Sequence, residues 1–206
     1  DVRPFGLMKF FSGQPYVDIR ASFNSFVPKN LDNEIAKKFV NFYMDYLKNH
    51  PEFHDKVEFE VVPTCFTFLF EEWRNKFKKD GNFSEDEISK LEHELKQITK
   101  KAINGNHSAD LDLSKLSSKY IKTKESKIDN IQKALDLLDD SKRYGTLAFS
   151  HLARDGFVAA TILKSAVKKG IISLEAMNDF MSSIRSVTHD LTNDAGEVNS
   201  GKLEWN

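Results

Sequence analysis

Behind Ser84, the apolar residues Ile88, Leu91, Leu95, Ile98 and Ala102 of "FSEDEISKLEHELKQITKKAI" recur every three or four positions. An α-helix turns such a spacing to one side, and Ser84 with Glu87 forms a capping box that sets where the helix starts. From residue 71 onward this helical period dominates. Ile128, Ile131, Leu135 and Leu138 mark a further helix ending near "DDSKRYG". "TLAFSHLARDGFVAATILKSAVKKG" reads as helix with Gly170 as its C-terminal cap, and Ser173 opens "LEAMNDFMSSIRSVTHDL". The short "KKGIIS" between these last two predicts an antiparallel helical hairpin. The stretch from 105 to 127, polar and rich in Lys and Ser, gives no clear period.

The first third reads differently. "GLMKFF" and "QPYVDIRASF" are two extended segments around the turn-forming "SGQP". A helix follows, with Ile35, Phe39, Phe42, Tyr43, Tyr46 and Leu47 on one face and Pro51 just past its end. "KVEFEVVPTCFTFLF" then alternates Val57, Phe59 and Val61 with Glu58 and Glu60, which predicts a returning strand with Pro63 at a bulge or edge. The expected fold class is α+β: a small, mostly antiparallel sheet packed with helices and closed by the C-terminal helical hairpin. The expected divisions are a strand-helix-strand part over residues 1–70, a helical part over 71–192 packed on it as one compact domain overall, and a linker or tail over 193–206. Asp1 in place of Met and the polar last residues read as cuts through a longer polypeptide.

Composition narrows the function classes. Thirty Lys and Arg against 31 Asp and Glu leave a net charge of -1, which argues against nucleic acid or an anionic membrane as main partner. No apolar run approaches a membrane span and no signal-peptide pattern opens the chain, so the expected compartment is the cytoplasm. The single cysteine, Cys65, lies among Phe residues and reads as a buried small hydrophobe. Phosphate loops, dinucleotide fingerprints, H-E-x-x-H and G-x-S-x-G are absent, so no catalytic residue and no metal ligand is assigned. His50 and His54 are separated by Pro51 and read as a solvated loop.

Two stretches carry candidate binding residues. Read as a strand, "QPYVDIRASFNSFVP" puts Tyr16, Asp18, Arg20, Ser22 and Asn24 on one face. That face either braces the sheet, Arg20 pairing with Glu58 or Glu60, or lines a cleft where Arg20 grips a phosphate or carboxylate. In "SKRYGTLAFSHLARDGF" the helical pattern breaks at Arg143 and Tyr144, and His151 and Arg154 follow one turn apart. These either bind an anion or form an ordinary helix boundary with Asp155 paired to His151.

Together "GQPYVDIRASFNSFVPKNL", "HDKVEFEVVPTCFTF" and "SKRYGTLAFSHLARDGFVAATIL" resemble the middle region of phosphoenolpyruvate synthase-like proteins, in the pyruvate, water dikinase and pyruvate phosphate dikinase superfamily. The resemblance implies a segment of a multidomain ATP-dependent phosphotransferase, a transferase and kinase whose parent uses ATP and Mg²⁺. The segment itself would carry no cofactor. Its implied partners are the ATP-grasp and phosphohistidine domains of the same polypeptide and a small-molecule acceptor, for which it offers a binding or docking surface. The alternative is a structural spacer without ligand. No glycine-rich ATP loop or phosphohistidine segment is present, so no catalytic residue of the family transfers to any position.

Overall fold

The computed structural model describes residues 8–105, 109–184 and 187–202. It distinguishes two compact units, Asp1–Ile162 and Leu163–Asn206. The α+β class holds, and among the described residues the strands are those of a two-stranded antiparallel hairpin of β1 (Met8–Phe11) and β2 (Gln14–Val17). Ser12 and Gly13 take φ of 50° and 78°, the paired left-handed residues of a two-residue hairpin loop. Gly6 and Leu7 of the expected first strand lie outside the described residues.

Beyond Val17 the expected strand is a helix, α1 (Ile19–Phe26). Asp18 caps it, its carboxylate accepting from the Ala21 backbone N–H at 3.0 Å. The alternation Val17, Ile19, Ala21, Phe23 satisfies a strand, but Ile19, Phe23 and Phe26 satisfy a helix equally, and the cap decides between them. The returning strand expected over "KVEFEVVPTCFTFLF" is absent. Val57–Val61 form a single π-helical turn, closed by the Val62 N–H on the Val57 carbonyl at 3.0 Å. Residues 62–69 then run irregularly, with the Phe66 N–H donating to Thr99 Oγ1 at 2.8 Å. A strand requires a neighbour for its backbone groups; here they find local and side-chain partners instead.

The core lies among α2 (Asn33–Asn49), α3 (Phe70–Gly81) and α4 (Glu85–Ile103), with Phe23 of α1 and Val61 and Val62 of the π turn. Phe39, Phe77, Ile88 and Leu95 are fully buried, so the core runs across residue 70 without a break. The expected capping box is present: Glu87 N–H donates to Ser84 Oγ, and the Glu87 carboxylate accepts from the Ser84 N–H. The unassigned stretch from 105 to 127 holds α5 (Ala109–Glu125). α6 (Asn130–Asp140), a π turn at Ser141–Gly145 and α7 (Thr146–Lys168) follow as one right-handed helical path. The break expected at "SKRYG" is therefore a widening of the helix rather than its end.

In the second unit Gly170, at φ 69°, stops α7 as expected, with the Ile171 N–H on the Ala166 carbonyl at 2.9 Å. Ser173 caps α8 (Leu174–Ser183), which completes the hairpin-like pair with α7. Where the tail was expected from residue 193, α9 (Val187–Asn199) is helical. Among the described residues no helix is long and apolar enough to cross a membrane.

Cys65 is buried and free, and burial pushes its thiol from 9.0 up to about 11. Because the unfolded thiol ionises first, this group's contribution to stability is whole below pH 9 and is lost as pH rises through about 11. Urea titrations from pH 8 to 11 are expected to show wild type losing stability relative to Cys65→Ala only above pH 9. Parallel pH profiles of the two proteins would contradict a shielded thiol.

Candidate functional site

The nine candidate residues from the sequence divide among separate places. Tyr16 lies on β2, half exposed, its ring edge-on to Phe11 at 5.5 Å. Asp18 is spent on the α1 cap. Arg20 donates from Nη1 to Asn41 Oδ1 of α2 at 3.0 Å, in place of the expected Glu58 or Glu60. Ser22 is half-buried and Asn24 exposed. A common polar face of Asp18, Arg20, Ser22 and Asn24 does not exist, because successive helical residues point about 100° apart rather than to alternate sides.

The two sequence stretches do meet, through Arg154. Its Nη2 donates to the Ser25 carbonyl at 3.3 Å, and its guanidinium sits 5.9 Å from the Phe26 ring. The cation thus satisfies the last turn of α1, where unpaired carbonyls favour positive charge, and packs on an aromatic face. Phe157 of α7 meets Phe59 of the first π turn at 5.5 Å, which reinforces the same junction. Arg143 is bonded to Asp139 one turn back at 2.7 Å, and His151 is half-buried on α7.

Tyr144 belongs to the arrangement that sequence reading missed, the seam between α5 and α6. Lys119 of α5 donates to the buried Asp140 of α6 at 2.7 Å and lies 5.4 Å from the Tyr144 ring. The bond to Asp140 holds the Lys119 ammonium above the ordinary lysine value. Lys133 donates to the Lys124 carbonyl at 3.1 Å, and Gln132 to Asp136 at 2.7 Å. At Gly145 an added Cβ would stand 3.3 Å from Leu116 Cδ2, so the missing side chain lets α5 approach the π turn closely.

This seam is polar on the inside. The α6 residues turned away from solvent are Lys133, Asp136, Leu137 and Asp140. The residues turned outward are the apolar stripe itself, with Ile131 75%, Leu135 55% and Leu138 68% exposed. α5 shows Leu111, Tyr120 and Ile121 to solvent in the same way. A helix whose apolar stripe faces water reverses the usual arrangement, and contiguous exposed apolar surface of this kind marks a contact face.

Between the two helices lies an open cleft of about 460 Å³ bordered by Lys119, Lys122, Asp136, Asp139 and Asp140. Asp136, Asp139 and Asp140 each already hold a partner, so the cleft presents no poised acid or base. No group of three or more His, Cys, Asp or Glu among the described residues is placed to hold a metal ion. The signal that was legible is the spacing of Ile131, Leu135 and Leu138; its outward direction was not, since it depends on Lys119 and Asp140 meeting.

No family model, curated protein or solved structure matches the chain. That finding corrects the transferase, kinase and phosphoenolpyruvate synthase-like assignment and its ATP-dependent parent, for which no match gives support.

Proposed function

We propose that this chain is a protein-docking module whose contact face is the outward stripe of α6. The observation that carries the reading is the inversion of α6, with Asp140 bonded inside and Ile131, Leu135 and Leu138 in solvent. A 4–3 spacing of large aliphatic side chains is the pattern by which one helix receives an apolar helical face of another protein domain. That partner is a neighbouring domain of the same polypeptide or a separate chain. The inward polar pairs keep the α5–α6 hairpin closed without using the stripe, which leaves the stripe available. We assign the module to a reducing cytoplasm, a compartment suited to its one buried free thiol.

The test is to replace Ile131, Leu135 and Leu138 together by Gln. For a docking face, each change is expected to alter stability by no more than about 0.5 kcal/mol, as at other exposed positions. Binding of an apolar fluorescent dye should fall at the same time. A loss of several kcal/mol, the usual cost of deleting buried aliphatic groups, would mean that the stripe is core and the reading is wrong.

A further inference from the structure

α2 and the end of α3 border an open cleft of about 290 Å³ that shares no residue with the α6 stripe. From α2 it takes Asn41, Phe42, Asp45, Tyr46 and Asn49, whose spacings of three and four set them along one side of the helix. From α3 it takes Asp80 and Gly81. Its apolar lining is aromatic, with the Phe42 and Tyr46 rings stacked at 6.0 Å. Gly81 lets this lining meet the end of α3, since a Cβ there would stand 2.9 Å from the Phe42 ring.

The polar groups beside the rings favour a cation. Asp45 and Asp80 are exposed, and neither holds a hydrogen bond or ion pair among the described residues. The last turn of α3 adds unpaired carbonyls and the partial negative charge of a helix C-terminus. Lys38 also borders the cleft, but its ammonium is already placed, donating to Glu87 at 2.7 Å and to the Asn82 carbonyl at 3.0 Å. Asn41 accepts from Arg20, which leaves the Asn49 carboxamide as a further acceptor. Two cations of the chain use the same chemistry beside the cleft. Lys38 lies 4.5 Å from the Phe83 ring, and Lys76 lies 3.7 Å from the Tyr46 ring.

We propose that this cleft binds the guanidinium of an arginine side chain carried by a partner polypeptide. The lining selects that ion over other cations. A guanidinium is planar and weakly hydrated, so its face packs on an aromatic ring while its edge donates to carboxylates. A lysine ammonium is a compact, strongly hydrated charge that leaves water less readily. A quaternary ammonium has no N–H for Asp45 or Asp80. Calcium and magnesium take six or more oxygen ligands, which two carboxylates beside two rings do not supply, and no metal-holding group occurs among the described residues. Openness selects the carrier. Small-molecule sites bury most of their ligand, and an open cleft does not, so the guanidinium arrives on a chain that brings contacts of its own.

The test is an NMR titration of the full chain with N-acetyl-arginine methylamide. Saturable shifts are expected at the amides of residues 41–49 and 80–82, with a Kd of about 1–10 mM for the isolated side chain. The corresponding lysine derivative and tetramethylammonium should bind several-fold more weakly. Asp45→Asn and Asp80→Asn should each weaken binding about three- to fivefold, the range for exposed charge pairs, with urea midpoints unchanged. Asp179→Asn, an exposed carboxylate of the second unit, should leave binding as it was. Shifts that never saturate, equal binding of the lysine derivative, or affinity indifferent to Asp45→Asn and Asp80→Asn would each overturn the proposal. Binding of methylguanidinium with exclusion of the arginine derivative would overturn it too, by identifying a free small ion as the ligand.

Discussion

Phe39→Ala is expected to cost about 3–5 kcal/mol of unfolding free energy, the largest effect of any single truncation considered. Phe39 is fully buried on α2. Its ring stacks on Phe83 at 4.2 Å and meets Phe77 edge-on at 5.1 Å, with Tyr43 at 6.0 Å. One side chain therefore joins α2, α3 and the residue that precedes the α4 cap. Removing it forfeits the transfer free energy of the ring, the offset-stacked and edge contacts, and the packing of everything around the void. The neighbours cannot close in easily: a Cβ at Gly81 would already lie 2.5 Å from the Phe83 ring and 2.9 Å from Phe42, so this part of the core is tight. Urea denaturation is the measurement. A lower midpoint at unchanged slope is expected, and Phe39→Leu should recover part of the loss. A cost under about 1 kcal/mol would show that the site collapses, contrary to the packing described.

Arg74→Ala ranks second. The Arg74 side chain is only 13% exposed and reaches three carboxylates: Glu71 on its own helix at 3.2 Å, and Glu85 and Glu92 on α4. Its guanidinium also lies 5.9 Å from the Phe70 ring. The four groups lock α3 to α4. Glu71 and Glu85 are mostly in solvent, and losing Arg74 costs them little. Glu92 is different, with its side chain 17% exposed, so it would be left charged with Lys96 beside it at 2.6 Å as its partner among the described residues. Breaking a largely buried pair from one side leaves that uncompensated charge, and a loss of about 2–3 kcal/mol is expected after discounting the exposed partners. Glu92→Gln in the Arg74→Ala background should return part of it, because the stranded charge is gone. The double-mutant cycle separates this from lost packing: additive effects would mean that Arg74 acts through its guanidinium on the Phe70 ring and not through Glu92.

Much of the helical frame was legible one turn at a time. The Ser84 and Glu87 box, the Gly170 stop, the Ser173 cap and the α2 stripe all rest on groups within a few residues of each other. Hydrogen bonds of that range exist whatever the rest of the chain does. The two-residue turn at Ser12 and Gly13 belongs to the same class, since its sequence carries the backbone conformation it needs.

Two segments of alternating hydrophobicity were read wrongly for one reason. "YVDIRASF" and "VEFEV" satisfy a period of two and also place apolar residues four apart, so strand and helix compete closely. Asp18 tips the first by capping α1, and the second becomes a π turn because among the described residues no strand stands beside it. The binding face drawn on the first of them dissolved with the strand.

Amphipathic pattern was thus a property of the sequence alone, and the direction in which each pattern faces was not. Ile88, Leu91 and Leu95 point inward because Phe39, Phe77 and Phe83 are there to receive them. Ile131, Leu135 and Leu138, with the same spacing, point outward because Lys119 reaches Asp140 and turns the polar side of α6 toward α5. Periodicity is written within a single helix, whereas burial is decided by which groups on another helix arrive opposite it, and only the tertiary structure brings them there.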